Sequence, residues 1–361
     1  MLKARRPWAF PLVPIYSAVV AVKWWMLRVG LLSTKKLRWP VVSVGSLSAG
    51  GAGKTPVVIA LAKLLKDRGW EVDVLSRGYG RDGTGVEQVQ PHSDDAAQRY
   101  GDEPVMIAEQ ANVPVWVGAD RYEAGTKAQE AAETGWNGLH LLDDGFQHRQ
   151  LARTLELVLV TTEDLKDTLM PAGNLREGFD SLRRADAVVV REDEFEVAGK
   201  RLWEMVWAGT PIWTVRRRLV FPALNGHNGA TNGSSGKTTN GMVSSSVSAL
   251  AKGAGARPVA FCAIARPDNF VKMLVGAGCD VVDSVAFDDH HQYSMADVEQ
   301  LLKVAEENQA SGFVTTDKDA VKLSGPMRRR LEEVGRLMVV TLEVEFANTY
   351  EVMRAIESRL A

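Results

Sequence analysis

A chain of 361 residues is longer than one typical hydrophobic core and is expected to form two domains. Its net charge of −2 argues against nucleic-acid binding by bulk electrostatics, so no nucleic-acid partner is expected. Its two cysteines, Cys262 and Cys279, are too few for a disulfide framework and do not form a CxxC pair; each reads as a small buried hydrophobe in a reducing compartment, with no structural zinc site.

The first acidic residue is Asp67, whereas Lys3, Arg5, Arg6, Lys23, Arg28, Lys35, Lys36 and Arg38 all precede the first apolar strand pattern. Pro7 to Val22 carries no charge. A spanning helix needs about 20 apolar residues, and Lys23 and Arg28 interrupt this one. Basic flanks on both sides give no preferred orientation, and there is no small-residue cleavage site for a signal peptide. Residues 1–38 therefore read as a helix in or dipping into the membrane interface, with Trp8, Trp24 and Trp25 at headgroup level. Lys23 and Arg28 do not share one narrow face, so no sharp amphipathic stripe is expected. The alternative is a buried core helix capped by surface charge.

Apolar runs then alternate with helical patterns, at Val41–Gly45, Val72–Leu75, Val113–Val117, Leu139–Leu142, Leu157–Val160 and Ala187–Val190. This predicts an α/β fold: a P-loop NTPase-like parallel-sheet core over residues 39–212. A smaller α/β domain follows over 213–345, with a Gly/Ser/Asn-rich flexible insertion at 225–255. Residues 346–361 form a C-terminal helix that packs back on the core. In such sheets ligands bind beyond the carboxyl ends of the strands, so functional residues belong just after these runs.

After the first run comes Ser46-Leu-Ser48-Ala49-Gly50-Gly51-Ala52-Gly53-Lys54-Thr55-Pro56, then a helical pattern. Strand, glycine loop and helix make a P-loop: backbone N–H groups approach phosphate oxygens, and the helix start adds positive potential. Lys54 is expected to reach the β- and γ-phosphates of ATP, and the Thr55 hydroxyl to bind Mg²⁺. Pro56 suits a first helical turn. Ser48 stands where the motif has glycine. A second GKT, in Gly233–Thr238, has no strand before it and is not expected to bind phosphate.

Leu139–Leu142 ends in Asp143-Asp144-Gly145-Phe146-Gln147-His148, and an apolar strand ending in Asp supplies the second carboxylate on the Mg²⁺ side of P-loop enzymes. Arg77 and Tyr79 follow the second strand and Arg121 the third; the arginines suit phosphate groups and Tyr79 a sugar face. Asp102, in Gly101-Asp-Glu-Pro104, fits either an N-cap or catalysis. For Asp288-Asp289-His290-His291, spacing leaves catalysis, metal binding and structure all open.

The pieces VGSLSAGGAGKTP, LSRGYGR, GDEP, VGADR, LLDDGFQH, LMPAGNLREG, FDDHH and TTDKDAVKL, in that order, resemble the tetraacyldisaccharide 4′-kinase family. The resemblance implies transfer of the ATP γ-phosphate to the 4′-hydroxyl of an acylated disaccharide 1-phosphate, a lipid A precursor. It implies attachment by the N-terminal helix to the cytoplasmic face of a bacterial inner membrane, and it implies no obligate protein partner. Asp102 is then the base for the sugar hydroxyl, with His290 as its dyad partner. Thr55, Glu103, Asp143 and Asp144 serve the Mg²⁺ side. Arg77, Tyr79, Arg121, Gln147, His148 and Arg176 serve the lipid acceptor. Asp288 and Asn174 stand where the family often has proline, and the insertion is unusual. The main rival is a membrane-bound P-loop switch or motor ATPase or GTPase; Thr316-Asp317-Lys318-Asp319 only superficially resembles a guanine-reading motif. A silent nucleotide-fold scaffold is the second rival.

Overall fold

The computed structural model describes residues 6–93, 95–132, 138–222, 257–289 and 291–360. The chain divides into two compact units, Met1–Arg217 with Val344–Ala361, and Arg218–Glu343.

The first unit is a sheet of β1 (Val41–Ser46), β2 (Glu71–Ser76), β3 (Glu87–Gln88), β4 (Val115–Val117), β5 (Gly138–Asp143), β6 (Leu155–Leu159), β7 (Ala187–Arg191) and β8 (Ile212–Val220). Their order across the sheet is β8-β7-β6-β1-β5-β2-β4-β3. Every neighbouring pair is parallel except the short β3 on β4. β1, β5 and β6 are buried along their whole length, as expected of parallel strands covered on both faces. Val44 pairs with Asp143, so β1 and β5 end together at one edge. That edge carries the glycine loop and the two aspartates.

The helix Lys54–Asp67 buries Val57, Val58, Leu61, Ala62 and Leu65, one face at helical spacing. Beside it, Gly45 lets the chain turn over Phe146: a Cβ there would stand 2.5 Å from the Phe146 Cβ. Phe146 in turn joins Leu47, Val158, Val188, Leu182 and Leu202 in one core cluster. Inside the sheet, His140 Nδ1 lies 2.6 Å from Asp73 Oδ1, and its Nε2 lies 2.8 Å from the Gln129 amide. Both residues are fully buried, so this pair satisfies polar groups inside the core rather than serving the site.

Before β1, a 3₁₀ turn (Pro7–Leu12) leads into α1 (Val13–Arg28). Pro7–Arg28 is long and apolar enough to cross a membrane, by length and composition alone. Val13, Tyr16, Ser17, Val20, Trp24 and Leu27 are half-buried and recur every three to four residues, which places them on the face toward the unit. Ile15, Val19, Val22 and Trp25 are exposed. One face meets the unit, but both faces are apolar, so the helix carries no sharp amphipathic stripe, as expected. Trp24 lies on the face toward the unit. Its ring is clamped between the guanidiniums of Arg149 and Arg184, 3.1 and 4.0 Å from the ring centre.

Chain passes to the second unit within β8 and returns within β12 (Arg336–Phe346). The second unit's strands β10 (Asp283–Ala286), β9 (Val259–Cys262), β11 (Gly312–Thr316) and β12 are parallel in that order. Phe261, Phe313, Leu301 and Leu331 fill its core. Cys262 and Cys279 are free and buried, and burial, with the Asp319 charge, pushes the Cys262 thiol up to about 12. The C-terminal helix Thr349–Leu360 belongs to the first unit, where Arg359 pairs with Asp186 at 3.0 Å. The whole of the 225–255 insertion, with its second GKT, lies outside the described residues.

Candidate active site

β1 ends at Ser46, and the loop that follows is left-handed at Gly50, Gly51 and Gly53, with φ of 80°, 71° and 81°. Only glycine takes that backbone freely, which is why the loop is glycine-rich. Ser48 is not among the residues with positive φ. The departure from glycine there therefore costs nothing, and the Ser48 carbonyl instead accepts from Ser46 Oγ at 2.8 Å and from Arg176 Nη2 at 2.9 Å. Gly53 caps the helix start, and Pro56 falls within its first turn. Lys54 Nζ donates to Ser46 Oγ at 3.3 Å and lies 3.5 Å from Asp144 Oδ1. Thr55 is buried beside it.

The two adjacent aspartates are held differently. Asp144 takes a left-handed φ of 50°, an uncommon conformation for a residue with a Cβ. Arg176 forks onto its carboxylate at 2.9 and 2.7 Å. Burial pushes the Asp144 carboxyl up, but Lys54 and Arg176 outweigh it and hold the group below its ordinary value. Asp143 is buried, and its Oδ2 accepts from Ser76 Oγ at 3.0 Å. Burial and the charges of Glu103 and Asp144 push it up to about 7, against Lys54 and the Ser76 hydrogen bond. Glu103 thus acts on Asp143, which brings the GDEP and DDGFQH pieces to one place.

Gly101 caps the helix Asp102–Ala111, which corrects the N-cap reading of Asp102: it is the first helical residue. Its Oδ1 accepts from Glu103 N at 3.0 Å. A Cβ on Gly101 would stand 3.2 Å from the Tyr79 carbonyl, so Asp102 sits against the loop after β2. On that loop, Arg77 and Tyr79 are exposed. Arg121 is buried at the start of its helix, and its Nε has no acceptor among the described residues. Burial and the Arg77 charge lower it to about 10, while Asp143, Asp144 and Asp120 act the other way. A buried guanidinium with spare donors suits an anion.

Gln147 donates to the Ser46 carbonyl at 3.0 Å, so in this structure it braces the phosphate loop. Arg176 braces the same loop through Ser48 and Asp144. His148 is half-buried; burial first, then Arg121 and Arg153, lower it to about 4, so it is neutral at physiological pH. His290 lies outside the described residues. His291 stacks on Phe287 and lies 3.1 Å from Asp297, which closes a capping box with Ser294; it is structural. Asp319 accepts from Ala263 N and Thr316 Oγ1, so that carboxylate is used inside the fold rather than presented to a base.

The model of the tetraacyldisaccharide-1-P 4′-kinase family matches residues 6–361. The chain belongs to that family. A tetraacyldisaccharide 4′-kinase of Koribacter versatilis is 36% identical over 356 residues, 97% of this chain and 99% of its own. One from Aquifex aeolicus is 34% identical over 332 residues, 87% of this chain and 89% of its own. A crystal structure of the "apo" form of the Aquifex aeolicus LpxK in complex with ATP aligns with TM-score 0.73 at 30% identity, covering 99% of each chain.

The residues of this family member fit ATP and magnesium. The loop amides and Lys54 suit a triphosphate. Lys54 and Arg176 offset Asp144, whereas Asp143 is crowded by Glu103 and Asp144, a crowding that a bound cation would relieve. Among the described residues no three acidic, His or Cys side chains form a metal cage. Magnesium is held by one or two carboxylates with phosphate oxygens and water, and Asp143 and Asp144 offer two carboxylates at the strand end. Sequence reasoning missed Ser76 as the partner of Asp143, and Tyr16, whose hydroxyl donates to the Arg176 carbonyl at 3.0 Å. Ser76 falls within the LSRGYGR piece and Tyr16 in none, but no motif marks either contact, because each partner is distant in sequence.

Proposed function

We propose that this chain transfers the γ-phosphate of ATP to the 4′-hydroxyl of a tetraacyldisaccharide 1-phosphate, a lipid A precursor. The observation that carries the reading is the convergence of Lys54, Asp144 and Asp143 at the joined ends of β1 and β5 in a family member. Phosphoryl transfer asks little covalent work of the protein, so positioning and charge neutralisation dominate. Lys54 and the amides of residues 48–55 hold the β- and γ-phosphates. Magnesium, when bound, would supply charge neutralisation to the triphosphate, with Thr55, Asp143, Asp144 and Glu103 available to hold it. Asp102 accepts the sugar hydroxyl proton, and the family's motif carries His290 as a second catalytic residue. Arg77, Tyr79, Arg121 and neutral His148 line the acceptor side. Gln147 and Arg176, expected on that side as well, reach it by shaping the loop.

The outward face of α1 rests in the cytoplasmic leaflet of the inner membrane, where the substrate's acyl chains remain in lipid. Its exposed Ile15, Val19 and Trp25, with Trp8 on the preceding turn, support this reading. Transfer of labelled γ-phosphate from ATP to a purified lipid A disaccharide 1-phosphate tests the activity. Acceptor-independent ATP hydrolysis, with no labelled lipid, would refute it.

A further inference from the structure

The segment 169–177 lies between the N-terminal helix and the phosphate loop and is bonded to both. Toward the loop, Arg176 N donates to the Leu47 carbonyl at 2.7 Å, and Ala49 N donates to the Asn174 carbonyl at 2.9 Å. Ser48 and Leu175 form an isolated antiparallel bridge, and the Arg176 side chain reaches Ser48 and Asp144. Toward the N-terminus, Arg6 N donates to the Ala172 carbonyl at 2.9 Å, and Tyr16 donates to the Arg176 carbonyl at 3.0 Å. Asn174, where the family often has proline, adds two anchors that proline cannot make. Its backbone N–H and its side-chain amide both reach Asp167 Oδ2, at 3.2 and 3.1 Å.

Along α1 itself the contact is narrow. A groove of 370 Å³, lined by Val20 and Trp24 on the helix and by Leu169 and Arg184 opposite, separates much of the helix from the segment. Among the described residues no other α1 side chain hydrogen-bonds to the segment. Burial pushes the Tyr16 phenol up, so it remains a donor.

We infer that Tyr16 is a positioning residue for phosphoryl transfer: by holding the Arg176 carbonyl it fixes the Arg176 fork on Asp144, and through Asp144 the place of Lys54. The helix that meets the membrane therefore also sets the grip on ATP. Three contacts in series carry this, Tyr16 to Arg176, Arg176 to Asp144 and Asp144 to Lys54, with a side branch from Arg176 to Ser48. The inference rests on the kinase reading of the site, but it concerns ATP affinity, which is measurable without an acceptor.

The test uses the full chain in lipid vesicles with Tyr16→Phe, which keeps the ring and removes the donor. Loss of one hydrogen bond predicts a three- to tenfold weaker Kd for ATP–Mg²⁺, of order the usual effect of such a bond. The KM for ATP rises alongside, while the KM for lipid and the vesicle-bound fraction stay unchanged. General loosening would lower the active fraction and leave the ATP Kd alone. In an Arg176→Ala background the same substitution should have no further effect, because the link is already cut. An unchanged ATP Kd in Tyr16→Phe, or an equal additional loss in the Arg176→Ala background, overturns the relay. Failure of the wild-type chain to phosphorylate lipid would instead count against the kinase reading and leave the affinity comparison standing.

Discussion

The phosphate loop and the N-terminal helix lie in the same unit and are bonded to the same short segment, yet they relate to the sequence in opposite ways. In the loop, Gly50, Gly51 and Gly53 sit at left-handed φ values that other residues resist, so composition and conformation imply each other. In the helix, the face on the protein and the face away from it are both apolar. No periodicity separates Trp24, clamped by two arginines, from Trp25, which is exposed. A backbone constraint is written locally; a choice of neighbour is not.

The sharpest way to break this contrast is at the loop. Lys54→Ala should lower kcat by at least about 100-fold, the scale of removing one donor from a preorganised charge site, with the melting temperature little changed. Steady-state transfer assays beside thermal melts check it, and a mild kinetic effect would mean that the loop does not grip the triphosphate.

Next come the paired tryptophans. Trp25→Ala should lower the vesicle-bound fraction several-fold, because it removes a large exposed aromatic from the outward face. Trp24→Ala should instead destabilise the protein by about 1–3 kcal/mol, through lost packing and two cation–π contacts. Sedimentation with vesicles and urea melts separate the two; identical behaviour would dissolve the two-faced helix.

A pH effect tests the aspartate pair. Asp143 sits at about 7, above the ordinary carboxyl value, so the folded protein holds this proton more tightly than the unfolded chain does. In the ligand-free protein its contribution therefore becomes less favourable as pH rises from about 4 to 7. Asp143→Asn should gain stability relative to wild type across that window and level off above it, as urea melts at pH 5 and 8 would reveal. A constant difference between those pH values would remove the argument for charge crowding with Glu103.

The smallest effect belongs to His148. Its value of about 4 lies below the ordinary 6.5, so the stability it contributes is present above pH 6.5 and lost as pH falls toward 4. His148→Gln should flatten part of the acid limb of a pH–melting curve. An unchanged limb would mean that the ring is not held neutral by burial.

The extent to which the fold and site were legible follows the same division. Alternating apolar runs announced the parallel sheet, and the strand-end rule put Lys54, Asp143, Arg77 and Arg121 near one edge. Of the two readings open for Asp102, the cap gives way for a physical reason: Gly101, with its φ of 93°, takes that place. Arg176 and Gln147, which the resemblance puts on the acceptor side, are here bonded to the loop, and no local signal marks which partner a polar side chain will find.

The sequence by itself determined where backbone must turn left-handed, which segments must be buried strands, and, through its ordered motifs, the family. Those outcomes depend on neighbours along the chain, or on hydropathy that any water-soluble fold must obey. Tertiary structure alone decided that Asp143 and Asp144 carry opposite electrostatic shifts, that Trp24 faces protein, and that Tyr16 reaches Arg176 across 160 positions of sequence. Burial, charge and hydrogen bonding act through space over a few ångströms, and only the folded chain sets those distances.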